Sequence, residues 1–257
     1  SKDRAGAFPQ ALRELSAAAR QLSGVETPEA DRLRARLASV TAMIRFAQER
    51  PQEAVKQGLA AAEAARKAGD KQALAEALNA AASAQLFMGA GGSEKLLEAV
   101  AIYEELGDLS RSALARSNLA CGEFLEGRWQ DALDGFRRVR EARLKAGNVV
   151  GAATTASNIG EILVKRGELD EALPLLRDTV RVLRASGFHE GAAYAEIQLG
   201  RLHVMQRDHA RADELMARVA NELTELGQAV SALEAVCVRA HGLVGLGRPE
   251  DALSSLD

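Results

Sequence analysis

Apolar residues recur at helical spacing along most of the chain, in stretches such as 113–125, 152–165 and 192–205. Apolar positions three and four apart put one stripe on one face, so each stretch predicts an amphipathic helix. Longer stretches of the same kind follow at 131–146, 170–186 and 210–226. Glycine punctuates them. The pairs Gly107-Asp108, Gly147-Asn148, Gly187-Phe188 and Gly227-Gln228 lie 40 residues apart, and Gly69-Asp70 precedes them by 38. A glycine just past a helix takes the left-handed conformation without strain, so these pairs end the longer helices.

A second marker runs in phase with the first. It reads Gly127-Arg128-Trp129-Gln130-Asp131-Ala132-Leu133, and Gly167 to Leu173 and Gly247 to Leu253 repeat its pattern. Arg207 to Asp213 and Glu49 to Val55 are degenerate copies. Acidic residues (Asp131, Asp170, Glu250) open the second helix, where the helix dipole favours them, and Pro51 and Pro249 sit at helix starts. Ala132, Ala172, Ala212 and Ala252 are small where two antiparallel helices must come close. Each unit is therefore a helical hairpin, and the chain is all-α.

The hairpin resembles the tetratricopeptide repeat in a long form of about 40 residues. The resemblance rests on the large-small pairs Leu119-Ala120, Ile159-Gly160 and Leu199-Gly200, on the turn glycine, on the small residue at 132, 172, 212 and 252, and on Phe136, Leu176 and Met216 four residues later. The family's aromatic positions are mostly aliphatic here, and its closing proline is replaced by the Gly-x ending. The resemblance implies a right-handed superhelical solenoid of about six hairpins, in which each hairpin buries its apolar stripe against its neighbours. The repeats are expected at 28–70, 71–108, 109–148, 149–188, 189–228 and, truncated, 229–257. Residues 1–27 would be a preceding partial repeat or N-terminal helix, with a second helix opening at Phe8-Pro9. With a second helix cut short near 257 and no initiator Met, the chain is expected to be a segment of a longer protein.

Composition narrows the function. The net charge is −3 over 257 residues, which leaves no electrostatic footprint for nucleic acid. The densest basic stretch, Arg137, Arg138, Arg140, Arg143 and Lys145, is diluted by Glu141 and Asp134 and reads as a solvated helix face. No apolar run approaches the roughly 20 residues that span a bilayer, and no signal peptide is evident. Cys121 and Cys237 lie far apart, consistent with a reducing cytoplasm. His189, His203, His209 and His241 fall in no metal or catalytic motif. No catalytic residue, metal site or cofactor is expected. Gly89 to Lys95 lacks the phosphate-loop signature and reads as an irregular repeat junction with Ser93 as N-cap.

One constellation points to binding. Asn79, Asn118, Asn158 and Gln198 recur at intervals of 39, 40 and 40, each just before the large-small pair. In tetratricopeptide arrays the first helices line a concave groove, and an amide at this position donates to and accepts from a peptide backbone. The same amides serve equally to tie adjacent first helices together. At about 0.5–1.5 kcal/mol each, four such contacts give only weak affinity. Neighbours must then supply specificity: Glu161, Lys165 and Arg201 share this side and either read charges on a partner or pair with one another. The resemblance implies a non-enzymatic module that binds a protein or peptide segment, or another domain of its own chain, with a homo-oligomer open. Similar arrays accompany bacterial signalling and transcriptional regulators. A structural spacer or self-association module, and the sensor arm of a nucleotide-switch ATPase or nucleotide cyclase protein, are the alternatives.

Overall fold

A computed structural model describes residues 2–256, with side chains from residue 8 onward; Ser1 and Asp257, the tips of the two terminal segments, lie outside the described residues. Within them the chain is all-helical. The elements are α1 (Lys2–Gln21), α2 (Pro28–Ala47), α3 (Pro51–Ala68), α4 (Lys71–Phe87), α5 (Ser93–Glu105), α6 (Leu109–Leu125), α7 (Trp129–Lys145), α8 (Val149–Arg166), α9 (Leu169–Ala185), α10 (His189–Met205), α11 (His209–Glu225), α12 (Ala229–Gly245) and α13 (Pro249–Ser254). Hairpins form between α2 and α3, α4 and α5, α8 and α9, α10 and α11, and α12 and α13, the even-numbered helix first.

The Gly-x pairs do two jobs. Glycines 107, 147, 187 and 227 all have φ between 70° and 74°, which ends the preceding helix. The residue that follows opens the next helix. The side chains of Asp70, Asp108 and Asn148 accept the backbone N–H of Ala73, Arg111 and Gly151 at 3.0, 2.9 and 2.8 Å. Such a cap satisfies one of the orphan amides at a helix start. At Arg207 and Glu49 a side-chain-bearing residue takes the same left-handed conformation, with φ of 60° and 58°.

Two boundaries differ from the sequence pattern. No helix begins at Phe8; α1 already runs from Lys2 and carries Pro9 inside it, at the cost of one backbone hydrogen bond. Ser93 is not the cap of α5. Gly92 holds that position with φ 126°, and a Cβ there would lie 2.7 Å from the Ala82 carbonyl oxygen, so only glycine fits the junction.

The described residues form two compact units, Lys2–Gly135 and Phe136 onward. In the first, α2 packs on α3 and α4 on α5, and first helices touch across hairpins, α2 with α4 and α4 with α6. Its core is alanine-rich, with Leu78, Leu86, Leu96, Val100 and Tyr103 as the larger members. In the second, α8 packs on α9, α10 on α11 and α12 on α13, and the first helices α8, α10 and α12 touch in succession. Its core holds Ile197, Met216, Val219, Leu223 and Val238.

Helix spacing within the second unit is set by glycine. A Cβ on Gly200 would meet the Met216 sulfur at 2.7 Å, and one on Gly160 would overlap the Leu176 side chain. The large-small pair therefore seats the apolar residue of the second helix against the bare backbone of the first. Charge ties the helices on another face. Glu196, only 5% exposed on α10, accepts from Arg184 of α9 and, at 3.0 Å, from Arg218 of α11. Arg184 also grips both carboxylate oxygens of Glu222 on α11, one at 2.6 Å.

Candidate functional site

Three successive first helices, α8, α10 and α12, expose side chains on a common side. Together they line an open groove of about 710 Å³. Helix α8 contributes Val164 and Lys165, α10 contributes Arg201, Val204 and Met205, and α12 contributes Val230, Leu233, Glu234, Cys237, Val238 and His241. The lining is mainly apolar and much of it is open to water: Val230 is 80% exposed, Leu233 57% and Met205 49%.

The charged groups of the groove are engaged with one another. Lys165 and Glu161 pair along α8 at 3.2 Å. The Tyr194 hydroxyl of α10 donates to the other oxygen of Glu161. Burial, reinforced by that carboxylate, pushes the Tyr194 phenol well above its ordinary pKa, so it remains a donor. Arg201 donates to Glu234 of α12 at 2.6 Å and, through its other terminal nitrogen, to Gln198 Oε1 at 3.0 Å. The outcome is a polar belt of internal pairs beside an apolar bed.

The amide series falls differently in the two units. In the first, Asn118 Nδ2 of α6 donates to Asn79 Oδ1 at 3.1 Å and to Ser83 Oγ at 3.0 Å, both on α4. These two bonds join neighbouring first helices. In the second, Asn158 is half-buried on α8 and Gln198 fully buried on α10. Gln198 holds Arg201 through its carbonyl oxygen, while its Nε2 is buried with no partner. Of the residues singled out by the repeat register, Lys165 and Arg201 line the groove, Glu161 and Gln198 support those two, and Asn79 and Asn118 form a pair within the other unit.

The α12 wall escaped the sequence pattern because the amide register stops there: one repeat beyond Gln198 stands the apolar Val238. The signal was nonetheless present. One repeat beyond Tyr194 and Arg201 lie Glu234 and His241, both in the groove.

Among the described residues no cluster of three His, Cys, Asp or Glu side chains is placed to hold a metal ion. His203 is buried at the end of α10, and burial lowers its pKa, which suits a neutral core imidazole. Among the described residues no helix is long and apolar enough to cross a membrane.

Comparison with known proteins agrees with this architecture. The tetratricopeptide repeat family model matches residues 151–221, which run through α8, α9, α10 and most of α11. No curated protein matches the sequence closely enough to carry a function across. Among solved structures, the chain is similar to a Signal Transduction ATPase with Numerous Domains protein with a tetratricopeptide repeat sensor from Pyrococcus horikoshii, at 16% identity and TM-score 0.70 over 92% of this chain and 36% of that one. It is similar to aspartyl phosphate phosphatase F from Bacillus subtilis, at 17% identity and TM-score 0.72 over 88% of this chain and 60% of that one. A Rap protein complexed with competence and sporulation factor gives 14% identity and TM-score 0.61 over 99% and 72%. At such identities the likeness is one of fold, and the chain spans about a third and three-fifths of the length of the first two. Residues 151–221 match the tetratricopeptide repeat, and the helices of each unit are arranged as hairpins of that kind of fold.

Proposed function

We propose that the chain is a non-enzymatic binding module that holds a segment of a protein in the groove between α8, α10 and α12. The observation that carries this reading is the exposure of Val230, Leu233 and Met205 around one continuous groove of about 710 Å³. Water-exposed apolar side chains gathered in one concavity mark an interaction site, and the volume lies within the range of about 300–1,000 Å³ common for ligand clefts. Lys165, Arg201, Glu161 and Gln198 form the site's polar side, and Asn158 lies on the same first helix as Lys165. Asn79 and Asn118 act in this reading as a tie between α4 and α6.

The similarity to a signal transduction ATPase with a tetratricopeptide repeat sensor supports a regulatory setting. In that setting the module is a sensor arm in the cytoplasm of a bacterial signalling protein, and the bound segment comes from a partner or from the same chain. The test is selection of binding segments from a randomised peptide display library against the whole chain, with Leu233→Asp as counter-target. Leu233 is more than half exposed, so the substitution alters the groove without disturbing the core. Segments that bind the natural chain and lose at least tenfold on the variant support the reading. A library that yields no such segment contradicts it.

A further inference from the structure

We infer that the groove selects its partner by uncharged aliphatic side chains and not by charge. The inference rests on the groove being the binding surface, as proposed above, and adds the chemistry of its occupant. The ionic groups of the groove already have counter-ions inside the protein. Lys165 is held by Glu161 at 3.2 Å, and Arg201 by Glu234 at 2.6 Å. The Arg201 guanidinium is held on two sides, since Gln198 accepts from its other terminal nitrogen at 3.0 Å. A charged partner would have to break one of these pairs to make another, an exchange with little net gain. The four charges also cancel, so the site offers no net field to steer an acidic or a basic segment.

What the groove does offer is apolar surface still in contact with water. Val230, Leu233 and Met205 are each about half exposed or more. Covering such surface is favourable and, unlike an ion pair, is not weakened by screening salt. The complement is a partner segment carrying several Leu, Ile, Val or Met side chains, with no charge among them. Because the groove is open along its length and shared by three helices, a chain segment fits it better than a compact small molecule.

Three labelled peptides of equal length test this by fluorescence polarisation with the whole chain. One carries Leu and Val spaced by Ser and Gly. The second replaces Ser by Glu, and the third replaces Ser by Lys. Binding is read at one fixed pH in ~0.05 M and ~0.5 M salt. The uncharged peptide is expected to bind at least tenfold tighter than either charged one. Its affinity should change less than about twofold between the two salt concentrations and fall about tenfold on Leu233→Asp. Tightest binding by a charged peptide, weakening with salt and still lost on Leu233→Asp, overturns the aliphatic selection but leaves the groove as the binding site. Binding of the uncharged peptide that Leu233→Asp leaves unchanged overturns both. No binding by any of the three overturns the aliphatic selection, and the library selection then decides the groove separately.

Discussion

Arg201 of α10 donates to Glu234 of α12 at 2.6 Å, a bond that joins two consecutive first helices beside the apolar bed of the groove. Both side chains are 31% exposed, which places the pair between a screened surface contact and a buried one. Its coupling should be modest. A double-mutant cycle with Arg201→Ala and Glu234→Ala, read by urea unfolding, is expected to give an interaction of about 0.5–1 kcal/mol. A coupling of zero would mean that the two charges are free to serve a partner, which would remove the basis for an internally neutral groove.

The Asn118 carboxamide makes two bonds to α4, so its first task is structural. Asn118→Ala should lower stability by about 1–2 kcal/mol, since each lost bond is worth about 0.5–1.5 kcal/mol and Asn79 and Ser83 lose their partner. Chemical denaturation checks this. Unchanged stability together with lost partner binding would instead restore the amide series as a backbone ladder for the ligand.

Gly160 and Leu176 occupy one space. A Cβ at Gly160 would overlap the Leu176 side chain, which is fully buried. Gly160→Ala should therefore destabilise by about 1–3 kcal/mol through overpacking. The two sites should also be strongly non-additive: Leu176→Ala will cost less in the Gly160→Ala background than in the natural chain. Thermal melts of the four proteins give both quantities, and simple additivity would show that the helices separate freely at this crossing.

These relationships were legible to different degrees. The 40-residue register placed the Gly-x helix ends and the corresponding faces of α8 and α10, because backbone periodicity alone fixes which face a residue occupies. It placed Lys165, Glu161 and Arg201 together but left open whether they read a partner or one another. That choice depends on rotamers and on the neighbour one repeat away, Glu234, which no spacing within a single helix reveals. The capping roles of Asp70, Asp108 and Asn148 were present in the same Gly-x pairs that marked the helix ends. The shift of the α5 start from Ser93 to Gly92 was hidden, because it follows from the close approach of Ala82, a residue ten positions earlier.

Acid should loosen the array. The hydrogen bond from Arg184 holds the Glu222 carboxyl below the usual glutamate value of 4.5, with burial opposing and the charges of Arg184 and Arg218 adding to the lowering. The Arg111 backbone N–H and side chain likewise hold Asp108 below 3.8. Groups with depressed pKa values contribute stability that is complete above their unfolded values and is lost as pH falls through the folded ones. Urea midpoints should thus fall in two stages: first below about pH 6.5, where an unfolded imidazole gains a proton that buried His203 resists, and again below about pH 5 as these carboxylates titrate. Glu222→Gln should flatten that acid limb while lowering stability at neutral pH. An acid limb identical in the variant would show that Glu222 carries none of the linkage.

A partner segment lying in the groove of α8, α10 and α12 can be read at Cys237. Its side chain is exposed and lines the groove, and a Cys121→Ser background leaves it as the reporter thiol. The measurement is the rate of maleimide labelling of Cys237 with and without a saturating segment taken from the library selection. The bound segment is expected to slow labelling by tenfold or more. Full occupancy with an unchanged labelling rate would place the partner elsewhere on the molecule and contradict binding in the groove.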